Sequence, residues 1–217
     1  MVRFKTEIYD DYLPKDHPMV VLFSHVGQAL GHNEDYQILC SPTEQLSDVP
    51  DVEAVLLLCD AEVFSEWDTI DNCLGCLAVT SGPFYEPDEI AYAPRLMIAI
   101  NMDQSLATML EMVANGSDPE LVVEACAATV THEGIHLADL VKIGGGLSPQ
   151  EIYERDGDWG VHQASTLEDT DWDPHPGAGP QERYDMIEER VEDLTRQLTP
   201  AMMPNAAVIA AVVAMLG

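Results

Sequence analysis

The sequence predicts a single α+β domain in which a mixed sheet packs against helices. Short apolar runs bounded by turn residues fill the first half of the 217-residue chain, whereas long helical patterns fill the second half. The composition is 47% hydrophobic, which is enough to bury one core. We therefore expect one domain over residues 1–217, with an irregular loop insertion over 147–180 and an apolar C-terminal tail over 200–217.

Five short segments of the first half have the character of strands. The expected strands span residues 2–9, 36–40, 54–59, 74–80 and 94–101. The segment 54–59 is apolar throughout, so it predicts an interior strand that is buried on both faces. One helix is expected between the first two strands, over residues 18–30, because Pro18 occupies its first turn and Gly31 follows its last apolar position.

Three helices are expected in the second half. The first spans residues 103–113 and stops at the Asn-Gly pair that follows. The second begins where Ser117 can cap it, with Pro119 at its first position and Glu120 in its first turn, and it ends at the three glycines 144–146. The third spans residues 181–198, where apolar side chains recur at helical spacing.

The second of these helices carries the pattern H-E-x-x-H. Residues four apart stand one above the other on a helix, so the imidazoles of His132 and His136 can converge on one metal ion while Glu133 faces the same site. Chance would produce this pattern only about 0.02 times in a chain of this composition. We therefore predict a metal site here, with two metal-free surface histidines as the alternative.

The order of elements and the motif together resemble the zincin metallopeptidases. In this chain and in the zincins, a strand-rich first half and a last strand precede a long helix with H-E-x-x-H. The resemblance implies a sheet packed against the motif helix and a C-terminal helix, Zn²⁺ as cofactor, and hydrolysis of a peptide or protein substrate by a metal-activated water with Glu133 as general base. It also implies a sheet strand that pairs with the substrate, for which Leu96, Ile98 and Ile100 are the candidates.

The third metal ligand is left open by the motif. Metzincins continue with glycine and histidine where this chain has Asp139 and Lys142, so the chain resembles instead the gluzincins, which take a glutamate from a later helix. On the helix 181–198, Glu188 falls beside the apolar stripe and is the preferred candidate, although it could instead pair with Arg183 or Arg190.

Three other side chains have possible roles near this site. His162 and His175, both in the insertion, are the alternative third ligands. Asp139 follows His136 by three residues, so it lies on the metal-facing side of the helix. We interpret Asp139 as a carboxylate that does not bind the metal itself but orients a ligand imidazole or the downstream backbone, with a solvated aspartate as the alternative.

The charge balance is strongly acidic. The chain has 39 Asp and Glu against 9 Lys and Arg, a net charge of −30, and the acids are spread along its length. At molar salt the Debye length falls to about 3 Å, which screens this self-repulsion. The composition is similar to that of haloarchaeal proteins or proteins of their viruses. Nucleic-acid binding is disfavoured because no Lys/Arg cluster could neutralise phosphates.

The termini and cysteines bear on localisation and on an alternative function. The start of the chain lacks a hydrophobic signal region and the five cysteines have no secretory spacing, so we expect a cytoplasmic protein of a halophile or a virion component. The apolar run 206–216 is too short to span a bilayer. If residues 205–216 contact another chain, the alternative is a zincin-fold structural or assembly protein with a vestigial or purely structural metal site.

Overall fold

The computed structural model describes residues 1–65, 74–80, 95–144, 159–160 and 180–217. The strands are β1 (Val2–Ile8), β2 (Val52–Cys59), β3 (Gly75–Thr80), β4 (Arg95–Asn101) and β5 (Trp159–Gly160). They form one sheet in the order β1-β2-β4-β3-β5. β1, β2 and β4 run parallel, whereas β3 is antiparallel to both β4 and β5. The predicted α+β class with a mixed sheet is therefore confirmed.

Helices surround this sheet in the described part of the chain. They are α1 (Pro18–His32), α2 (Glu34–Leu39), α3 (Ala61–Phe64), α4 (Met102–Ala114), α5 (Pro119–Gly144), α6 (Pro180–Met202) and α7 (Ala206–Leu216). The predicted helices correspond to α1, α4, α5 and α6. The last of these continues through Pro200, so the region beyond it is shorter than the predicted tail.

The interior strand β2 divides the core into two apolar layers. Leu56 and Leu58 are fully buried in the larger layer, which contains the apolar faces of α1, α5 and α7. Val55 and Leu57 point to the opposite side and are buried in a second cluster with Phe64 of α3. Because alternate residues of a strand face opposite sides of the sheet, both sets of side chains are removed from water. The prediction of a strand buried on both faces is confirmed.

The predicted strand over residues 36–40 is wrong, because this segment is the helix α2. The side chain of Asn33 caps the helix by accepting a hydrogen bond from the backbone N–H of Tyr36 at 2.8 Å. Glu34 and Asp35 lie in the first turn, where negative charge is favourable. The fully buried Tyr36 also donates a hydrogen bond to the carbonyl of Gly134 at 2.9 Å, which ties α2 to α5. These capping and tertiary contacts outweigh the β propensity of the apolar residues.

The prediction that Leu96, Ile98 and Ile100 belong to a substrate-binding strand is wrong. Their strand, β4, is paired with β2 on one side and with β3 on the other. The backbone groups along both of its edges are therefore already engaged, and the three side chains are buried in the larger apolar layer. Both β3 and β4 contact the motif helix, and in the described residues β5 pairs with Ala78 and Val79 of β3.

The C-terminal helix α7 packs on the core of its own chain. Val212 and Leu216 are buried in the larger apolar layer, against α1 and α5. The apolar tail had suggested a structural or assembly protein. Because α7 packs on its own chain, the tail no longer supports that alternative. No single described helix is both long and apolar enough to cross a membrane; α6 and α7 meet that criterion only as a pair bent by 108°.

We expect Val212→Ser to lower the free energy of unfolding by roughly 2–4 kcal/mol, because it removes buried methyl groups and buries a hydroxyl in their place. Ala214→Ser introduces the same side chain on the exposed face of α7 and should change stability by no more than about 0.5 kcal/mol. Denaturant unfolding at molar KCl measures both. Equal stability of the two variants would mean that α7 does not belong to the folding core.

Candidate metal centre

Two helices bring the candidate ligands together. The motif helix α5 carries His132 and His136, four residues apart, and α6 packs alongside it. Ile187 and Val191 of α6 are buried in the larger apolar layer. Glu188 stands at the margin of this buried stripe, where its side chain can reach the histidines of α5. The apolar stripe of α6 thus fixes which of its glutamates faces the motif.

The three side chains form a compact group. The Nε2 atoms of His132 and His136 are 3.2 Å apart. Oε2 of Glu188 is 3.5 Å from His132 Nε2, and Oε1 of Glu188 is 3.3 Å from His136 Nε2. One ligand atom from each residue lies within 4.8 Å of the other two, an arrangement that could hold a metal ion. The structure therefore brings the predicted glutamate to the two histidines of the motif.

Electrostatic interactions shift the pKa values of His136 and Glu188 in opposite directions. Burial lowers the pKa of His136, but the hydrogen bond with Glu188 and the charges of Glu133, Glu188 and Asp139 outweigh it, so its pKa is raised overall. Burial raises the pKa of Glu188, but hydrogen bonds from His132 and His136 hold it well below the usual range for a carboxyl. Both shifts favour the charged forms of this pair, a protonated His136 beside an ionised Glu188.

We expect metal-free protein to lose stability as pH rises above about 6.5, the ordinary pKa of histidine. The raised pKa of His136 stabilises the fold below its ordinary value of 6.5, and this contribution is lost as pH rises through the folded-state pKa. The lowered pKa of Glu188 contributes stability above its ordinary value of 4.5 and therefore does not offset the loss. Thermal unfolding of metal-free protein across this range measures the change, and Glu188→Gln should reduce it.

Metal ions should reverse this trend, because they bind neutral imidazoles and therefore compete with protons. The stabilisation by added metal should increase as pH rises above about 6.5. A metal-free protein with a flat or rising melting temperature over this range would contradict a protonated His136 beside an ionised Glu188.

The buried Glu133 faces a small cleft beside the histidines. The cleft has a volume of about 270 Å³ and is lined by Leu74, Gly75, Ala128, Thr129, His132, Glu133 and Thr195. Gly75 of β3 lies close against α5. A Cβ atom there would lie 2.8 Å from Thr129 Cγ2 and 3.2 Å from Glu133 Cγ. A glycine is therefore required for β3 to pack directly against Glu133, a role that its position within a strand pattern did not indicate.

The structure gives Asp139 a partner that differs from the predicted one. Its two carboxylate oxygens accept hydrogen bonds from Arg190 of α6, at 2.6 Å from Nη1 and 3.0 Å from Nη2. The predicted role of Asp139 in orienting a ligand imidazole or the downstream backbone stays a prediction. The same contact occupies Arg190, which was one of the two predicted alternative partners of Glu188, the other being Arg183. Nothing in the sequence indicates that Asp139 pairs with an arginine 51 residues away.

The remaining candidates lie outside the described residues. His162 and His175, the alternative third ligands, are in the part of the insertion that the structure does not describe. The side chain of Arg183, a residue of α6, is also outside the described part.

The fold and the site together define an α+β protein with a two-histidine, one-glutamate group able to hold a metal ion. Comparison of the chain with protein-family models, curated proteins and solved structures found no match.

Proposed function

We propose that the protein is a zinc-dependent peptidase of the gluzincin type, with His132, His136 and Glu188 as ligands. The observation that carries this proposal is the position of Glu188 beside the histidines. The two histidines of H-E-x-x-H need one more protein ligand to form a catalytic zinc site. Sites with two histidines and one glutamate leave the fourth position open for water or substrate.

The spacing of the donors supports zinc. Tetrahedral coordination with zinc–ligand bonds of about 2.0–2.1 Å places neighbouring ligand atoms roughly 3.3–3.4 Å apart. The two imidazole Nε2 atoms are 3.2 Å apart, which suits this geometry. Glu188 approaches the two histidines with different oxygens, Oε1 at 3.3 Å from His136 and Oε2 at 3.5 Å from His132, so either oxygen is close to one imidazole. Calcium and magnesium prefer sets of oxygen ligands, so two imidazoles disfavour both.

Zinc and Glu133 would have separate roles in hydrolysis. Bound zinc would supply Lewis acidity, polarising the substrate carbonyl and lowering the pKa of a water molecule. Glu133 shares the cleft with His132 and would accept the proton of the attacking water and pass it to the leaving amine. Glu133 is buried where α5 packs against Gly75 of β3, which limits access of bulk water to this carboxylate.

The proposal is tested by metal content and hydrolysis at molar KCl, which suits the net charge of −30. We expect one zinc per chain by elemental analysis and cleavage of an unfolded protein substrate such as casein. A chelator should abolish cleavage and added zinc should restore it. Protein without zinc after incubation with the metal would overturn the site, and zinc-loaded protein inactive on a broad peptide library would overturn the peptidase activity.

A further inference from the structure

We propose that Arg190 is a positioning residue for the metal site: its paired hydrogen bonds to Asp139 set the rotation of α6 and thereby hold Glu188 beside the histidines. This inference rests on the proposed metal site. It assigns Arg190 a function that is separate from ligation, because the guanidinium contacts Asp139 and not the ligand atoms.

Two polar contacts that the described residues make between α5 and α6 lie on opposite flanks of one apolar stripe. At about 100° per residue, Glu188 lies about 80° to one side of the line through Ile187 and Val191, and Arg190 lies about 80° to the other side. Glu188 contacts His132 and His136 from its flank. From the opposite flank, Arg190 reaches Asp139 of the same helix α5.

This arrangement resists rotation of α6 about its own axis. Turning the helix so that Glu188 moves away from the histidines would also displace Arg190 from Asp139. A guanidinium that donates two hydrogen bonds to one carboxylate fixes orientation as well as distance, whereas a lysine would supply only a point charge. The buried stripe alone permits small rotations, because apolar contacts are not directional.

The pair is also shielded from solvent. The side chain of Asp139 is 7% exposed and that of Arg190 is 34% exposed. Loss of Arg190 would leave a buried carboxylate without its counter-charge, which favours a shift of the helix that exposes the carboxylate to water. Salt screens exposed charge pairs strongly but buried pairs much less, so this constraint would persist at the molar salt for which the composition is suited.

The experiment measures zinc affinity by competition with a chromophoric chelator at molar KCl, for wild type, Arg190→Met, Arg190→Lys and Arg196→Met. Arg190→Met should weaken zinc binding by about 10–100-fold, the usual effect of losing a residue that orients a ligand. Arg190→Lys keeps the positive charge but cannot donate the same pair of hydrogen bonds, so its zinc affinity should lie between those of Arg190→Met and wild type. Arg196→Met is the matched control, because Arg196 lies on the same helix, is 71% exposed and pairs with the exposed Asp193.

A second measurement separates positioning from a general loss of stability. In protein loaded with Co²⁺ in place of zinc, the visible absorption depends on coordination, so a displaced Glu188 should change the spectrum of Arg190→Met but not that of Arg196→Met. If Arg190→Met is too unstable to load, Asp139→Asn is measured in its place, since it removes the charge of the partner and keeps its size.

The outcomes distinguish this inference from the proposed function. Wild-type zinc affinity and an unchanged Co²⁺ spectrum in Arg190→Met, or in Asp139→Asn if that variant replaces it, would overturn the positioning role and leave the metal site intact. A wild-type protein that binds no zinc would overturn the proposed site and this inference with it.

Discussion

Replacing Glu133 with glutamine is expected to reduce peptide hydrolysis by about 10²–10⁴-fold while leaving bound zinc in place. Glutamine has nearly the same size as glutamate, so it fits the buried position beside Gly75. It cannot accept a proton from the attacking water. The proposed ligand atoms belong to His132, His136 and Glu188, and zinc content should therefore not change.

The measurement compares kcat and zinc content of wild type and Glu133→Gln at molar KCl. Glu120→Gln is a suitable control, because it makes the same change on an exposed residue in the first turn of α5. Loss of zinc together with loss of activity would indicate that Glu133 supports the metal site and is not the general base. Full activity of the glutamine variant would exclude Glu133 from proton transfer.

Replacing Glu188 with alanine is expected to have the largest effect on metal binding. It removes a proposed ligand, so zinc affinity should fall by more than the roughly 10–100-fold that loss of an orienting residue costs. The metal-free protein should also lose the polar contacts between Glu188 and the histidines. Both effects follow from the same carboxylate, which makes this residue the most direct test of the site.

Competition with a chelator measures the affinity, and Glu189→Ala is the matched control. Glu189 is the next residue of the same helix, and its side chain is exposed. The control should retain wild-type affinity. If Glu188→Ala also retains it, the third ligand comes from elsewhere in the chain, and His162 and His175 become the residues to replace.

The sequence by itself determined the local parts of this protein. The spacing of His132 and His136 acts within one helix, and helix geometry alone brings residues four apart onto one face. The same holds for the start of α5 at Pro119 and for the interior strand β2, whose unbroken apolar run indicates burial on both faces. Even Glu188 could be ranked above its neighbours, because its angle to the apolar stripe is set within its own helix.

Only the tertiary structure decided how these parts meet. The order of strands placed β4 in the interior of the sheet and β3 against the motif helix, and this order depends on pairing between segments that are distant in sequence. Helix α2 formed where local propensity indicated a strand, because its cap and the hydrogen bond of Tyr36 to α5 favour the helix. The pairing of Asp139 with Arg190 likewise depends on how α5 and α6 pack, a relation that no spacing within either helix contains.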